Sequence, residues 1–254
     1  MTNLFEKKET NLVTGGVSRG FEGLDEDIVT MPKAKIMQAM SPELEEPDVD
    51  FQQGDIVHSL LLEKLPEYFT PIAMWISRAM FVPRNDREKK DFFETLGMEE
   101  QDTMFVCRSL NGQIPEPGGL NYGECRECPY GEFGWDGDVS TPPLCTKTLN
   151  VLALFEGQEM PVVIQFMNTN FKHGKKFASM ARYAGGDLFS KKYKISSKQE
   201  QNDQGKFFTT PVKPAGKPTD EEKEFAEKLY AQFAGVQIEV EDEEDQAQQE
   251  QWDF

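Results

Sequence analysis

The sequence predicts a mainly β protein of the α+β class. Its 254 residues suffice for one large domain, and a hydrophobic fraction of 38% fits a modest core. Short apolar runs rich in β-branched and aromatic residues recur along the chain, as is typical of strands. Only two segments have the periodicity of a helix, and both begin at or after residue 170. We therefore expect one β domain with two appended helices.

The two ends of the chain differ in composition from this domain. Residues 1–30 are polar, contain glycine and have no clear periodicity, so we interpret them as a flexible N-terminal segment. Residues 239–254 contain eight acidic residues and no basic residue, which leaves too little apolar surface to fold. We therefore expect a single folded domain at 31–236 and a disordered acidic tail at 237–254.

Most of the predicted elements of the domain are strands. In chain order they are 32–38, 56–62, 69–76, 80–82, 103–108, 149–155, 161–167, 193–196 and 206–212. An acidic stretch with two prolines separates the first two and is interpreted as a loop. Residues 149–155 and 161–167 are joined by a short segment that contains Gly157, which predicts a β-hairpin.

The first helix is predicted for residues 170–185. Asn168 or Asn170 is the expected N-cap, the pair Gly185–Gly186 ends the helix, and Gly174 weakens it by about 1 kcal/mol relative to alanine. At 100° per residue its two faces separate. The apolar face holds Phe177, Met180, Ala181 and Ala184, and the opposite face holds Lys172, Lys175, Lys176, Arg182 and Tyr183.

The second helix has stronger boundary signals. Thr219 and Glu222 form a capping box, and Gly235 stands at the other end. The spacing of Phe225, Leu229 and Phe233 predicts that these three side chains pack against the domain.

The four cysteines predict a structural zinc site. Their pattern is C-x17-C-x2-C-x16-C, at Cys107, Cys125, Cys128 and Cys145. Four thiolates suit the tetrahedral geometry of Zn²⁺. The loops between them are rich in glycine and proline, so a bound metal ion would stabilise them. We expect one zinc ion per chain within an insertion at about 107–145. Two disulfides or four unliganded thiols remain as alternatives.

The sequence contains no recognisable active site. It has no Gly-x-Ser-x-Gly motif, phosphate-binding loop or dinucleotide fingerprint. His58 lies in an apolar stretch and is interpreted as a core residue, while His173 is expected on a basic surface. Nuclease-like spacings of acids occur by chance in so acidic a chain. We expect no enzymatic activity.

The distribution of charge favours nucleic-acid binding although the net charge is −18. Residues 165–217 contain eleven basic and three acidic residues, interleaved with aromatic rings on which bases stack. Tyr183 and Tyr193 are the preferred stacking candidates, and aromatic residues of the cysteine region either join them or pack around the metal. The candidate DNA contacts are Lys172, Lys175, Lys176, Arg182, Tyr183, Lys191, Lys192, Tyr193, Lys194, Tyr130 and Trp135. An ordinary solvated lysine surface is the alternative.

The acidic segment finishes in Trp252, Asp253 and Phe254. It resembles the acidic tails of bacterial and phage single-stranded DNA-binding proteins, which finish in an aromatic tip. The resemblance implies a phage-type protein that protects single-stranded DNA in replication or recombination. It also implies that these three residues recruit partner proteins and that the tail competes with DNA. Residues 31–43, with the cysteine pattern, resemble phage-encoded replication-region proteins.

With this role, the short strands favour an OB-fold-like β-barrel with zinc-stapled loops. Ordinary bacterial members of the resembled family are shorter and lack a four-cysteine insertion, so the oligomeric state stays open. The chain has no apolar run long enough to cross a membrane and no secretory stretch, which predicts a cytoplasmic protein, in the host cytoplasm if it is phage-encoded.

Two other functions are compatible with the same residues. One is a zinc-bearing regulatory protein that contacts a host polymerase, with an acidic DNA mimic as a variant of it. The other is a metal-dependent nuclease. Salt-sensitive binding to single-stranded DNA without cleavage selects the DNA-binding protein.

Overall fold

The computed structural model describes residues 31–46, 49–83, 85–117, 120, 123–202, 205–234, 238 and 240. The predicted flexible segment 1–30 and residues 241–254 of the predicted tail lie outside the described residues. Two residues assigned to that tail belong to the fold instead. Ile238 is buried against the core, and Val240 forms a parallel bridge with Met31.

The fold is mainly β, as predicted, and is built on a curled half-barrel sheet. The strands are β1 (Lys33–Ile36), β2 (Ile56–His58), β3 (Tyr68–Phe81), β4 (Phe105–Ser109), β5 (Thr146–Phe155), β6 (Val162–Phe166), β7 (Tyr193–Ile195), β8 (Lys198–Asn202), β9 (Gly205–Thr209) and β10 (Val212–Pro214). The main sheet has the order β10-β7-β3-β5-β6-β1-β2, and β4 pairs with β3. Strands β8 and β9 form a separate two-stranded sheet.

Strand β3 is the central element of the main sheet. It is 14 residues long and pairs with β4, β5 and β7. The sequence predicted two strands here, because the polar residues Ser77 and Arg78 interrupt the apolar run. A β-bulge between Pro71 and Ala73 accommodates the proline, which has no N–H to donate to the ladder.

The hairpin of β5 and β6 is confirmed. Its register pairs Leu149 with Phe166 and Ala153 with Val162, and Gly157 adopts the positive φ of 76° that the connection requires. The predicted strand 206–212 is instead two strands, β9 and β10. Strand β8 was not predicted, because its residues are all polar and carry no apolar alternation.

The residues that the structure describes contain three α-helices rather than the two predicted: α1 (Asp86–Leu96), α2 (Phe171–Ala184) and α3 (Asp220–Phe233). Helix α1 was missed because most of its residues are charged and its apolar side chains, at Phe92, Phe93 and Leu96, occur only in its second half. Its boundary signals are nevertheless clear. The Asn85 side chain accepts hydrogen bonds from the N–H groups of the first turn, and Gly97 ends the helix in the left-handed conformation.

Helices α2 and α3 cover opposite faces of the sheet. Alternate residues of a strand point to opposite faces, so Val151 packs with Phe177 of α2 while Leu152 packs with Leu229 of α3. The capping box of Thr219 and Glu222 is confirmed. The predicted packing face of α3 is corrected at Phe225, which is exposed, and Ala226 is buried in its place.

Gly174 allows α2 to lie close to the sheet. A Cβ atom at this position would stand 2.6 Å from Cβ of Phe166, closer than two carbon atoms can approach. The glycine that the sequence analysis treated as a weak point of the helix is therefore required by the packing. Within the described residues, no helix combines the length and the apolar character needed to span a membrane.

Candidate nucleic-acid interface and cysteine pocket

The structure brings the four cysteines together. Cys107 lies on β4, Cys145 directly precedes β5, and Cys125 and Cys128 lie in the loop between these strands. All four line one pocket, beside Met80 and Leu120. Backbone hydrogen bonds hold the loop in place: Cys125 donates its N–H to the carbonyl of Gln113, and Cys145 donates to Tyr130.

The four thiols are free and partly shielded from water. Burial raises the pKa of Cys145 to about 12, against the opposing effect of the Arg78 cation. Burial also raises the pKa of Cys107, and the charges of Cys125 and Cys128 act in the same direction. In the part of the chain that the structure describes, no three Cys, His, Asp or Glu side chains are arranged to hold a metal ion. Four cysteines are nevertheless a donor set that fits zinc.

Arg78 of β3 is a neighbour of the cysteines that the sequence analysis missed. Its side chain lines the same pocket, and its Nε is buried without a hydrogen-bond partner. Gly131 lies against it, since a Cβ there would stand 2.8 Å from an Arg78 terminal nitrogen. The sequence signal for this neighbour was a basic residue within a mostly apolar strand. Arg78 supplies positive charge next to the thiols.

The aromatic residues of the cysteine region mainly support the loops. Tyr130 and Trp135 form an edge-to-face pair with ring centroids 5.3 Å apart. The indole Nε1 of Trp135 donates to the carbonyl of Pro142 at 3.0 Å, and Tyr130 packs against the cluster of α1. Both rings are half-buried. Their described contacts match the packing alternative of the sequence analysis.

Helix α2 presents the predicted basic face to solvent. Its cations Lys172, Lys175, Lys176 and Arg182 are exposed, Tyr183 is 92% exposed, and the helix contains no acidic residue. Lys172 is paired with Glu200 of β8. Within the described residues, the other three cations form no ion pair.

The second predicted contact segment, 191–194, requires two corrections. Tyr193 is only 2% exposed and packs against Phe69 and Phe177, so its ring offers no face to a base. The alternation of β7 directs Tyr193 and Ile195 into the core and Lys194 outward. A three-residue strand is too short for its inner face to be recognised from sequence.

Two lysines of this segment are neutralised by acids. Lys192 Nζ lies 2.8 Å from Glu156 and 3.0 Å from Glu222, and its side chain is 13% exposed. Burial opposes the charge on Lys192, but the hydrogen bonds to both glutamates outweigh it and raise the pKa. Lys194 is paired with Glu67 at 2.8 Å. Lys191 has no ion pair among the described residues.

The two histidines lie in different surroundings. The prediction that His58 is a core residue is confirmed, because its side chain is buried. Its Nδ1 accepts hydrogen bonds from the N–H groups of Leu60 and Leu61. His173 has a pKa lowered by burial and by the neighbouring Lys172, and its Nε2 lies 3.9 Å from Glu200. The candidate partner-binding residues Trp252, Asp253 and Phe254 lie outside the described residues.

Comparison with known proteins identifies a family of phage proteins. The sequence model for the family described as Pam3 phage gp34-like protein matches residues 7–239. No curated protein and no solved structure matches the chain. The match supports the expected phage-type protein.

Proposed function

Since the chain belongs to the Pam3 phage gp34-like family, we propose that it is a single-stranded DNA-binding protein of phage DNA replication or recombination. In this role it protects single-stranded DNA and recruits partner proteins through the acidic segment at 241–254. The family membership supports a phage role, and the surface chemistry supports the ligand.

The exposed face of α2 carries this proposal. The net charge of the chain is −18, so a helix without acidic residues is unexpected, yet α2 contains four cations and no acid. Single-strand binders combine cations that follow the phosphates with aromatic faces for the bases. Tyr183, the most exposed aromatic ring of the described residues, stands on this same face beside Arg182.

The fold is compatible with this function. The curled half-barrel sheet, antiparallel except where β1 pairs with β6, is consistent with part of the wall of an OB-fold-like barrel, an architecture that often binds oligonucleotides. The cysteine loops join β4 to β5 at one end of this wall. In this proposal, they extend the binding surface beyond the sheet.

One structural zinc ion per chain is part of the proposal. Cys107, Cys125, Cys128 and Cys145 would hold it. The support is that four free thiols line one pocket beside a cation. Bound to these four cysteines, zinc would link loops that contain little regular structure. Because metal binding and folding of such loops are coupled, we expect the sulfur atoms to draw closer when zinc binds.

The proposal is tested by equilibrium binding to fluorescently labelled oligothymidine of about 16 nucleotides or more. Full-length protein should bind it more tightly than duplex DNA. The affinity should fall steeply between about 50 and 200 mM salt, since bound cations are released. Incubation with Mg²⁺ should leave the DNA uncut, whereas cleavage would select the nuclease. Equal weak affinity for both DNA forms at low salt would overturn the proposal.

Charge reversal on α2, with α3 as the control, tests whether α2 carries the DNA-binding surface. The triple variant Lys175→Glu, Lys176→Glu, Arg182→Glu should weaken binding at least about tenfold at low salt. Lys228→Glu on α3 is the matched control, because it reverses an exposed lysine on the opposite face of the sheet. A triple variant that binds like the unchanged protein would move the DNA surface away from α2.

Three lysines of the predicted DNA surface are paired with glutamates, which favours an alternative function that does not require DNA binding. These lysines are Lys172, Lys192 and Lys194. A surface whose cations are already neutralised suits an acidic DNA mimic or a zinc-bearing regulator that contacts a host polymerase. Such a protein would inhibit DNA binding by its partner and would not itself bind oligothymidine. The same titration therefore separates the two functions.

A further inference from the structure

The first residue of α2 stands between two lysines from different elements. The Nζ atom of Lys147, on β5, lies 5.7 Å from the centroid of the Phe171 ring. The Nζ atom of Lys175, one turn along α2, lies 5.8 Å from the same centroid. Both lysines are exposed, while the half-buried ring packs against the core under α2. A half-buried aromatic ring is thus flanked by two exposed cations.

The sheet adds a third cation at this place. Lys147 lies directly opposite Arg78 in the antiparallel register of β5 and β3. Like charges in directly opposed positions destabilise a sheet. In the described part of the chain, Lys147, Lys175 and Arg78 have no acidic partner. This concentration of uncompensated positive charge favours an anion between the α2 N-terminus and the cysteine pocket.

We propose that Phe171, Lys147 and Lys175 form a nucleotide contact in which a base stacks on the ring and the adjoining phosphodiester pairs with the two ammonium groups. The inference rests on the proposed function and places the DNA path from α2 across the β3–β5 face toward the cysteine loops. The ring is what distinguishes a nucleotide from a simple phosphate, because stacking needs a flat apolar partner. The lysines can leave the ring for the phosphate without disturbing the core, because both are exposed.

Substitution of Phe171 tests the stacking part of the contact. Phe171→Leu keeps the apolar packing and removes the aromatic face, and it should weaken oligothymidine binding by about fivefold or more. Phe171→Tyr should restore the affinity to within about twofold of the unchanged protein. A folded Phe171→Leu variant with unchanged affinity would overturn the contact. The function itself would survive if the α2 charge reversal still weakened binding.

Lysine substitution tests the phosphate part. Lys147→Gln should lower the slope of log affinity against log salt by about 0.7, the value for one neutralised phosphate of a single strand. Lys64→Gln, which removes an exposed lysine near β2, is the control and should leave the slope unchanged. An unaltered slope for Lys147→Gln would contradict the contact.

Photocrosslinking gives a readout that does not depend on variant stability. Full-length protein is irradiated with an oligonucleotide that carries 5-iododeoxyuridine, and the adducts are mapped by mass spectrometry. Crosslinks on Phe171 or a residue next to it are expected. Adducts found only elsewhere would overturn the contact while leaving single-strand binding intact, and absence of any binding by the unchanged protein would overturn both.

Discussion

The side-chain amide of Gln38 hydrogen-bonds to both backbone groups of Phe208. Its Nε2 donates to the Phe208 carbonyl at 3.0 Å, and its Oε1 accepts the Phe208 N–H at 2.9 Å. Gly54 packs closely against the same residue, because a Cβ there would stand 2.7 Å from the Phe208 ring. These contacts attach the β8–β9 hairpin, which forms a sheet of its own, to the loop after β1.

Replacing Gln38 by methionine should loosen this hairpin. The variant keeps the size of the side chain and removes both hydrogen bonds, so the free energy of unfolding should fall by about 1–2 kcal/mol. Amide exchange at Phe208 should accelerate more than exchange in β5. Gln199→Met, at an exposed position of the hairpin, is the control. Equal protection of Phe208 in the variant and the unchanged protein would show that Gly54 and the ion pairs of Glu200 suffice.

Gly174→Ala should destabilise the protein although alanine favours helices. The gain in helix propensity is about 1 kcal/mol, whereas overpacking against Phe166 costs about 1–3 kcal/mol and more if α2 cannot shift. Urea unfolding measures the difference. Ser179→Ala, on the exposed face of α2, should change stability by about 0.5 kcal/mol or less. A more stable Gly174→Ala variant would show that α2 moves away from the sheet at little cost.

Protein purified without added metal should contain close to one zinc ion per chain. Cys125→Ser should lose the metal and lower the melting temperature by on the order of 10 °C, because zinc binding contributes directly to folding. Arg126→Ser is the matched control, since it alters the same exposed turn and keeps all four thiols. Trace zinc in a fully folded protein, measured by elemental analysis, would reject the site.

The Lys192–Glu222 pair should make stability depend on pH at both extremes. Burial alone would raise the pKa of Glu222, but hydrogen bonds from the Thr219 N–H and from Lys192 lower it below the ordinary 4.5. The pKa of Lys192 is raised above the ordinary 10.5. The contribution of Glu222 is therefore present above pH 4.5 and is lost as pH falls through its folded pKa. That of Lys192 is present below pH 10.5 and is lost as pH rises through its folded pKa.

Lys192→Met tests this dependence. At neutral pH the variant should be less stable than the unchanged protein by about 1–2 kcal/mol, and the difference should shrink toward both pH extremes. Lys191→Met, at the neighbouring position without an ion pair among the described residues, should show no such profile. A constant difference between pH 3 and 11, about the range accessible to melting experiments, would contradict the assignment.

Removing residues 241–254 should tighten binding to single-stranded DNA. The truncation deletes seven acidic residues and keeps Val240, which bridges Met31. If these acids compete with DNA for the basic surface, the gain should be largest at low salt, because exposed charges are screened beyond about 8 Å at physiological ionic strength. Binding to oligothymidine at two salt concentrations measures the gain.

Substitution of the aromatic residues of this segment distinguishes competition with DNA from recruitment of partners. The double variant Trp252→Ala, Phe254→Ala keeps the charge, so DNA affinity should stay nearly constant while partner binding is lost. Unchanged DNA affinity after truncation at low salt would reject the competition. Full recruitment of partners by the double variant would reject the aromatic anchor.

Local signals in the sequence predicted the elements whose determinants are close together in the chain. The β5–β6 hairpin followed from two apolar runs around Gly157, and α3 followed from its capping box. Helix α1 has caps of similar quality at Asn85 and Gly97, but most of its residues are charged and its few apolar side chains lie in its second half, so the apolar pattern that predicts a helix is short.

The candidate site depended on partners that are distant in sequence. The sequence showed Lys192 as one of a run of cations, because Glu156 and Glu222 approach it only in the folded chain. The same is true of Arg78, which meets the cysteines through the pairing of β3 with β4 and β5. Charge counts along a chain therefore predicted a basic region but not which of its cations are neutralised.

The position of β3 has a consequence for how the protein folds during synthesis. Phe69 pairs with Phe155 and with Tyr193. The pairing of β3 with β5 and β7 therefore cannot form until residues far along the chain have been translated. Until then a nascent chain exposes a long apolar strand of which only the end that pairs with β4 has a partner, and such a segment tends to aggregate or to bind chaperones. Pairings so distant in sequence also favour slow folding. The accumulation of active protein in an infected cell would then depend on late assembly around β3 as well as on translation.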